Sequence, residues 1–101
     1  GTTNATSVKG TGGAWITLVI GNSTAALKFV KLYNKATAPT VGTDTPTMTI
    51  VCAANSTTVV DFNGYLFTQS TGLGLAITNL VADTDTTAVA ANDVMITALY
   101  A

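Results

Sequence analysis

Ala14-Trp15-Ile16-Thr17-Leu18-Val19-Ile20 is the most informative run of this sequence; Gly21-Asn22-Ser23-Thr24 interrupts it, and Ala26-Leu27-Lys28-Phe29-Val30-Lys31-Leu32-Tyr33 follows. The first run is rich in β-branched and aromatic residues and alternates with period two. That period puts Ile16, Leu18 and Ile20 on one face and Trp15, Thr17 and Val19 on the other. The second run sets Val30 and Leu32 opposite Phe29, Lys31 and Tyr33. The interruption has turn chemistry, so the two runs are expected to pair as antiparallel neighbours.

Working outward, the same alternation predicts further strands. Residues 47–53 place Met48, Ile50 and Cys52 on one face, and 57–62 set Val60 and Phe62 opposite Val59 and Asp61. After the tight-turn pair Asn63-Gly64, Tyr65-Leu66-Phe67 forms a short aromatic strand, closed by a polar corner at 69–72. Over 73–78, Leu73, Leu75 and Ile77 alternate with Gly74, Ala76 and Thr78, and the bare second face leaves room for another sheet or subunit. Residues 94–100 carry Val94, Ile96 and Tyr100 on one face and Met95 and Leu99 on the other, as in a central or doubly covered strand. Loops are expected at 34–46, which holds Pro39 and Pro46, at Ala54-Asn55-Ser56, and at 81–92. No helix longer than a turn is expected. Upstream, residues 1–12 are small and polar and read as an extended arm, in which Thr6-Ser7-Val8-Lys9 can pair as a short strand. The expected fold is all-β: an antiparallel β-sandwich, jelly-roll or immunoglobulin-like, of seven to eight short strands. The arm spans 1–12 and the sandwich domain 13–101.

Only 9% of the 101 residues are charged, where a soluble domain usually has about a quarter. Polarity sits instead in Thr, Ser and Asn, which keep a strand surface wet without ions. A surface so poor in charge guards badly against association, so much of it is expected to meet other protein. The net charge is −1 and there is no Arg, which argues against nucleic-acid binding. Lys28, Lys31 and Lys35 do not share a strand face and read as solubilising edge charges. No apolar run approaches the length of a membrane helix. The opening Gly1-Thr2-Thr3-Asn4 has no charged head before a hydrophobic run, so no secretory signal is expected in it.

Chemistry-bearing residues are scarce. There is no His, which removes the commonest general base and metal ligand. Cys52, the single cysteine, lies in an apolar run and reads as a buried small residue. Thr71-Gly72-Leu73-Gly74 lacks the third glycine and the helix of a phosphate loop. Asp83, Asp85 and Asp93 share one loop region. They are either oxygen ligands for Ca²⁺ or Asx-turn residues satisfying loop backbone, and the closing Glu and turn Gly of an EF-hand are absent. Asn4, Asn22 and Asn55 begin Asn-X-Ser/Thr triplets that coincide with expected turns. Aromatic residues could form a sugar-stacking platform, or anchor a core or an interface. No enzyme activity, cofactor or bound metal is expected.

The stretch from Phe29-Val30-Lys31-Leu32-Tyr33-Asn34-Lys35 to Val41-Gly42-Thr43-Asp44-Thr45-Pro46 resembles small structural proteins encoded in tailed-phage genomes. So do Gly74-Leu75-Ala76-Ile77-Thr78, Ala82-Asp83-Thr84-Asp85-Thr86, Ala90-Ala91-Asn92-Asp93-Val94 and the opening Thr3-Asn4-Ala5-Thr6-Ser7-Val8-Lys9. Val51-Cys52 departs from that pattern, where a proline-containing segment is common. The resemblance implies a virion component: a capsid decoration (cement) protein on the outer capsid surface, with the major capsid protein and further copies of itself as partners, commonly as a homotrimer. The alternative it leaves is a tail or fibre module binding host glycans. The implied assembly contacts are Thr2, Thr3, Asn4, Thr6 and Val8 in the arm, with Trp15, Tyr33, Tyr65 and Phe67.

Overall fold

The computed structural model describes residues 3–62 and 66–101. Among them the chain is all-β, with eight strands and no helix: β1 (Thr6–Lys9), β2 (Gly13–Asn22), β3 (Lys28–Tyr33), β4 (Met48–Cys52), β5 (Ser56–Asp61), β6 (Phe67–Gln69), β7 (Leu73–Thr78) and β8 (Val94–Tyr100). They form two antiparallel sheets. The first has the order β1-β7-β3-β4. In the second, β2 is central, with β5 and β6 end to end along one edge and β8 along the other.

One apolar core lies between the sheets. Leu18 and Ile20 of β2 meet Val30 and Leu32 of β3, Ile50 and Cys52 of β4, and Leu73, Leu75 and Ile77 of β7. Met48, Ile50 and Cys52 share the core-facing side of β4, and Val60 and Phe62 pack inward while Val59 faces out, as their alternation predicts. Each fully buried side chain of this size stabilises the fold by roughly 1.5–3 kcal/mol.

Several expectations are corrected. β2 and β3 do not pair. Each has one apolar face, and these faces meet across the core while their edges bond other strands. Residues 23–27 therefore carry the chain from one sheet to the other. The side chain of Asn22 makes that crossing possible. Its carboxamide is buried, and Nδ2 donates to the carbonyls of Ala26 (2.9 Å), Cys52 and Ala53 (3.2 Å each). Oδ1 accepts from the Thr24 N–H (3.0 Å) and hydroxyl (2.7 Å). Within the link, the Thr24 N–H and the Ala26 carbonyl are satisfied by this side chain, while the Ser23 N–H and the Thr24 carbonyl bond to Asp93 and Asn55.

Trp15 lies in the core, not opposite Leu18. The register between β2 and β8 slips between Trp15 and Thr17, and this bulge at Ile16 reverses the alternation. β8 is an edge strand and not a central one, because among the described residues β2 is its only strand partner. The aromatic strand expected from residue 65 begins at Phe67, and Leu66 precedes it as exposed coil. The tight turn expected at Asn63-Gly64 and the start of that strand at Tyr65 lie outside the described residues.

The bare face of β7 is covered by the chain's own loop: a β carbon on Gly74 would lie 3.3 Å from Pro39 Cδ. Residues 34–47 and 79–88 fold over the outer side of the first sheet and touch each other, since a β carbon on Gly42 would collide with Thr86. Lys31 is consequently 0% exposed. It is not a solubilising edge charge, because β3 is an interior strand and the loops close over its outer face.

Replacing Asn22 by Ala strips a partner from the buried Cys52 carbonyl, a loss costing about 1–3 kcal/mol, and from the part-buried carbonyls of Ala26 and Ala53. Urea denaturation of Asn22→Ala is expected to show a loss of about 2–4 kcal/mol, several times that of Ser23→Ala.

Candidate functional site

Three regions can be ranked by what their side chains offer. The first is the outer side of β3, under the two loops. Lys31 Nζ donates to the Ala82 carbonyl at 2.6 Å. Burial lowers its pKa, partly opposed by the nearby carboxylates of Asp85 and Asp83. The Tyr33 ring beside it is buried, and its hydroxyl has no hydrogen-bond partner among the described residues. Burial raises the Tyr33 pKa, and Asp44 and Asp83 raise it further. At the rim, Lys35 and Asp44 form an ion pair of 2.5 Å, and Asp44 also accepts from the Thr40 N–H at 2.7 Å. The bond from Lys35, and then that from Thr40, lower the Asp44 pKa. These polar groups tie the loops to the sheet, with Lys31 and Tyr33 buried and the Lys35–Asp44 pair partly exposed at the rim.

The second region is a depression of about 510 Å³ at the far end of the second sheet, bordered by Ser23, Asn55, Ser56, Asn92 and Met95. No acid or base lines it. The Ser23 hydroxyl donates to the carbonyls of Asn92 and Asp93, and that of Ser56 to the carbonyl of Ala54. Asn55 and Asn92 adopt left-handed φ values of 51° and 67°, which Asn tolerates better than most residues.

The third region is the outer face of the second sheet. The register places Val59, Val19 and Thr97 in one row across β5, β2 and β8, flanked by Asp61, Thr17 and Leu99 on one side and Thr57, Gly21 and Met95 on the other. Met95 is 75% exposed, Val59 61% and Leu99 58%, with Val19 also exposed. Asp61 supplies a charge at one corner, where it accepts from the Thr17 hydroxyl at 3.3 Å. This is a broad patch of methyl, thioether and hydroxyl groups, the kind of surface that marks interaction sites.

The expected contact residues fall apart on this map. Thr2 and Tyr65 lie outside the described residues. Thr3 and Thr6 run along β7, where the Thr3 carbonyl accepts from the Ile77 N–H (2.6 Å) and Thr6 faces Leu75. Asn4 is exposed with φ 52°, and Val8 packs against the core. Trp15 and Tyr33 are interior residues of this chain, so as folded they present no surface to a partner. Phe67 is half-buried and stacks on Phe62, centroids 5.6 Å apart. With Trp15, Phe29 and Tyr33 buried, those three cannot form a sugar-stacking platform.

The carboxylates of the 79–93 region serve the backbone. Asp85 accepts from the Leu80 N–H (3.1 Å) and the Thr87 hydroxyl, and Asp93 from the Ala90 N–H (3.2 Å). Burial pushes the Asp85 pKa up, but those two donors and Lys31 outweigh it and the net shift is downward. Among the described residues no three acidic or Cys side chains gather as a metal site. Cys52 is buried, and burial raises its pKa. The exposed face of the second sheet escaped sequence reasoning, although Met95 and Leu99 had already stood out as a second apolar face of their strand. Comparison of the chain with family models, curated proteins and solved structures gives no match.

Two measurements follow from the cluster under the loops. Tyr33→Phe removes a buried hydroxyl without a partner, so thermal unfolding is expected to show it neutral or more stable by up to about 1 kcal/mol. Asp44 has a lower pKa folded than unfolded, so its contribution is present above the ordinary carboxylate range and is lost as pH falls through the folded pKa. The stability gap between wild type and Asp44→Asn is therefore expected to be widest near neutral pH and to close in acid.

Proposed function

We propose that the chain is a non-enzymatic β-sandwich module of virion assembly: a decoration (cement) protein that lies on the outer surface of a capsid, binds the major capsid protein and ties neighbouring capsomers together. The observation that carries this reading is the outer face of β5-β2-β8, a stiff, nearly ion-free surface with Val19, Val59, Met95 and Leu99 exposed together. Binding there gains from apolar burial and costs little ion desolvation. Many copies repeated over a closed shell turn weak contacts into firm attachment. Loops cover much of the outer side of the first sheet, with Leu80 and Val81 exposed on them, and leave the β5-β2-β8 face as the open face of regular strands. The N-terminal segment supplies reach, since a strand that runs along β7 in this chain fits the same groove in a neighbour.

The test is attachment to capsids of the phage that carries this sequence. Purified chain is expected to co-sediment with heads lacking it, with copies on the order of hundreds per particle, and to raise their resistance to heat. The double variant Val59→Lys, Met95→Lys changes only exposed positions, so its stability stays within about 0.5 kcal/mol while co-sedimentation drops at least tenfold. A wild-type chain that ignores the heads, or a variant that binds as well as wild type, overturns the reading.

A further inference from the structure

We infer that β8 is a self-pairing edge, and that two copies of this chain join their second sheets antiparallel across a twofold axis beside Thr97. The pairing concerns the free chain, so it stands or falls independently of any capsid.

The backbone pattern shows which groups are available. The Ser23 N–H donates to the Asp93 carbonyl at 2.9 Å, and Ala14 and Ala101 exchange both their bonds at 2.9 Å. Strict alternation between these points makes Gly21–Met95, Val19–Thr97 and Thr17–Leu99 the hydrogen-bonded pairs of the ladder. The N–H and C=O groups of Ile96, Ala98 and Tyr100 therefore point away from β2. No other strand takes them among the described residues.

A second copy fits this edge better than other occupants do. Self-pairing about a twofold axis sets each residue against one an equal distance beyond the axis, so a charge near the middle would meet its like. β8 has none from Val94 to Tyr100. With Thr97 on the axis, the outward-pointing backbones of Ile96 and Ala98 face each other and bond. The same register sets Met95 against Leu99 of the other copy, which are 75% and 58% exposed, and Thr97 against itself. Apolar pairing and hydrogen bonding thus select one register. The other edges are less suited. β1 has four residues, an irregular register and Lys9; β5 ends in Asp61; and at the end of β4 the Cys52 carbonyl already accepts from Asn22. A twofold edge yields a dimer, in contrast to the trimer the phage resemblance implies.

Disulfide trapping tests this directly. Opposed residues of a non-hydrogen-bonded pair have β carbons about 4.5–5.5 Å apart, within relaxation of disulfide geometry, and Cys52 is buried and silent. Under mild oxidation, Thr97→Cys is expected to give a covalent dimer as the main product, while Val59→Cys, exposed on the same face but on β5, stays monomeric. Adding Ala98→Pro removes an N–H that β2 does not use, and is expected to cut trapping at least tenfold while far-UV circular dichroism keeps its strand signal. Should that variant fail to fold, Thr97→Cys with Leu99→Lys replaces it, with the same loss expected. Equal trapping at positions 59 and 97, no trapping at 97, trapping untouched in the folded second variant, or a trimer by light scattering would each overturn the inference.

Discussion

The architecture depends on how the chain crosses from β2 to β3. Two strands joined by five residues would ordinarily pair edge to edge. Here Leu18 and Ile20 must face Val30 and Leu32 across a core, so the strands lie in different sheets and the link has to span the gap. Asn22 resolves the resulting hydrogen-bond deficit. Its amide reaches the link itself and the end of β4, joining both sheets through one buried group. With that crossing set, β2 is free to take β5, β6 and β8 as neighbours, and β3 to take β4 and β7.

Scarce charge is spent on holding loops more than on wetting the surface. Lys31 reaches up from β3 to the Ala82 carbonyl, Lys35 grips Asp44, Lys28 donates to the Asn79 side chain, and Asp85 gathers the backbone near Leu80. Gln69 works in the same way, donating to the carbonyls of Tyr33 and Gly72 (2.8 and 2.9 Å) and accepting from the Thr47 hydroxyl. The first sheet is consequently capped by well-anchored loops, and the second is left nearly bare of ions.

Much of this was legible from period-two alternation, because a strand with one buried face writes that face into its sequence. β4 and β5 are clear cases: Met48, Ile50 and Cys52 point in, and Val59 points out. What alternation cannot register is an extra residue, so the bulge at Ile16 misplaced Trp15. Nor can it tell a hairpin from an arch, since Gly21-Asn22-Ser23-Thr24 suits both and only the buried Asn22 amide decides. A lysine is costly to bury, so the sequence alone places Lys31 at an edge, whereas part of its cover comes from the loop at Ala82, distant in sequence. The candidate site was half visible. Met95 and Leu99 mark a second apolar face, as in a central or doubly covered strand, but a sequence does not say whether the cover belongs to the same chain.

The loop cap over the first sheet gives the molecule a front and a back. The back is not free of apolar groups, since Leu80 and Val81 of the cap and Val51 of β4 are exposed there, as Val59, Met95 and Leu99 are on the front. The two sides differ in build instead, one a regular face of paired strands and the other a surface of loops held down by Lys31 and by the Lys35–Asp44 pair.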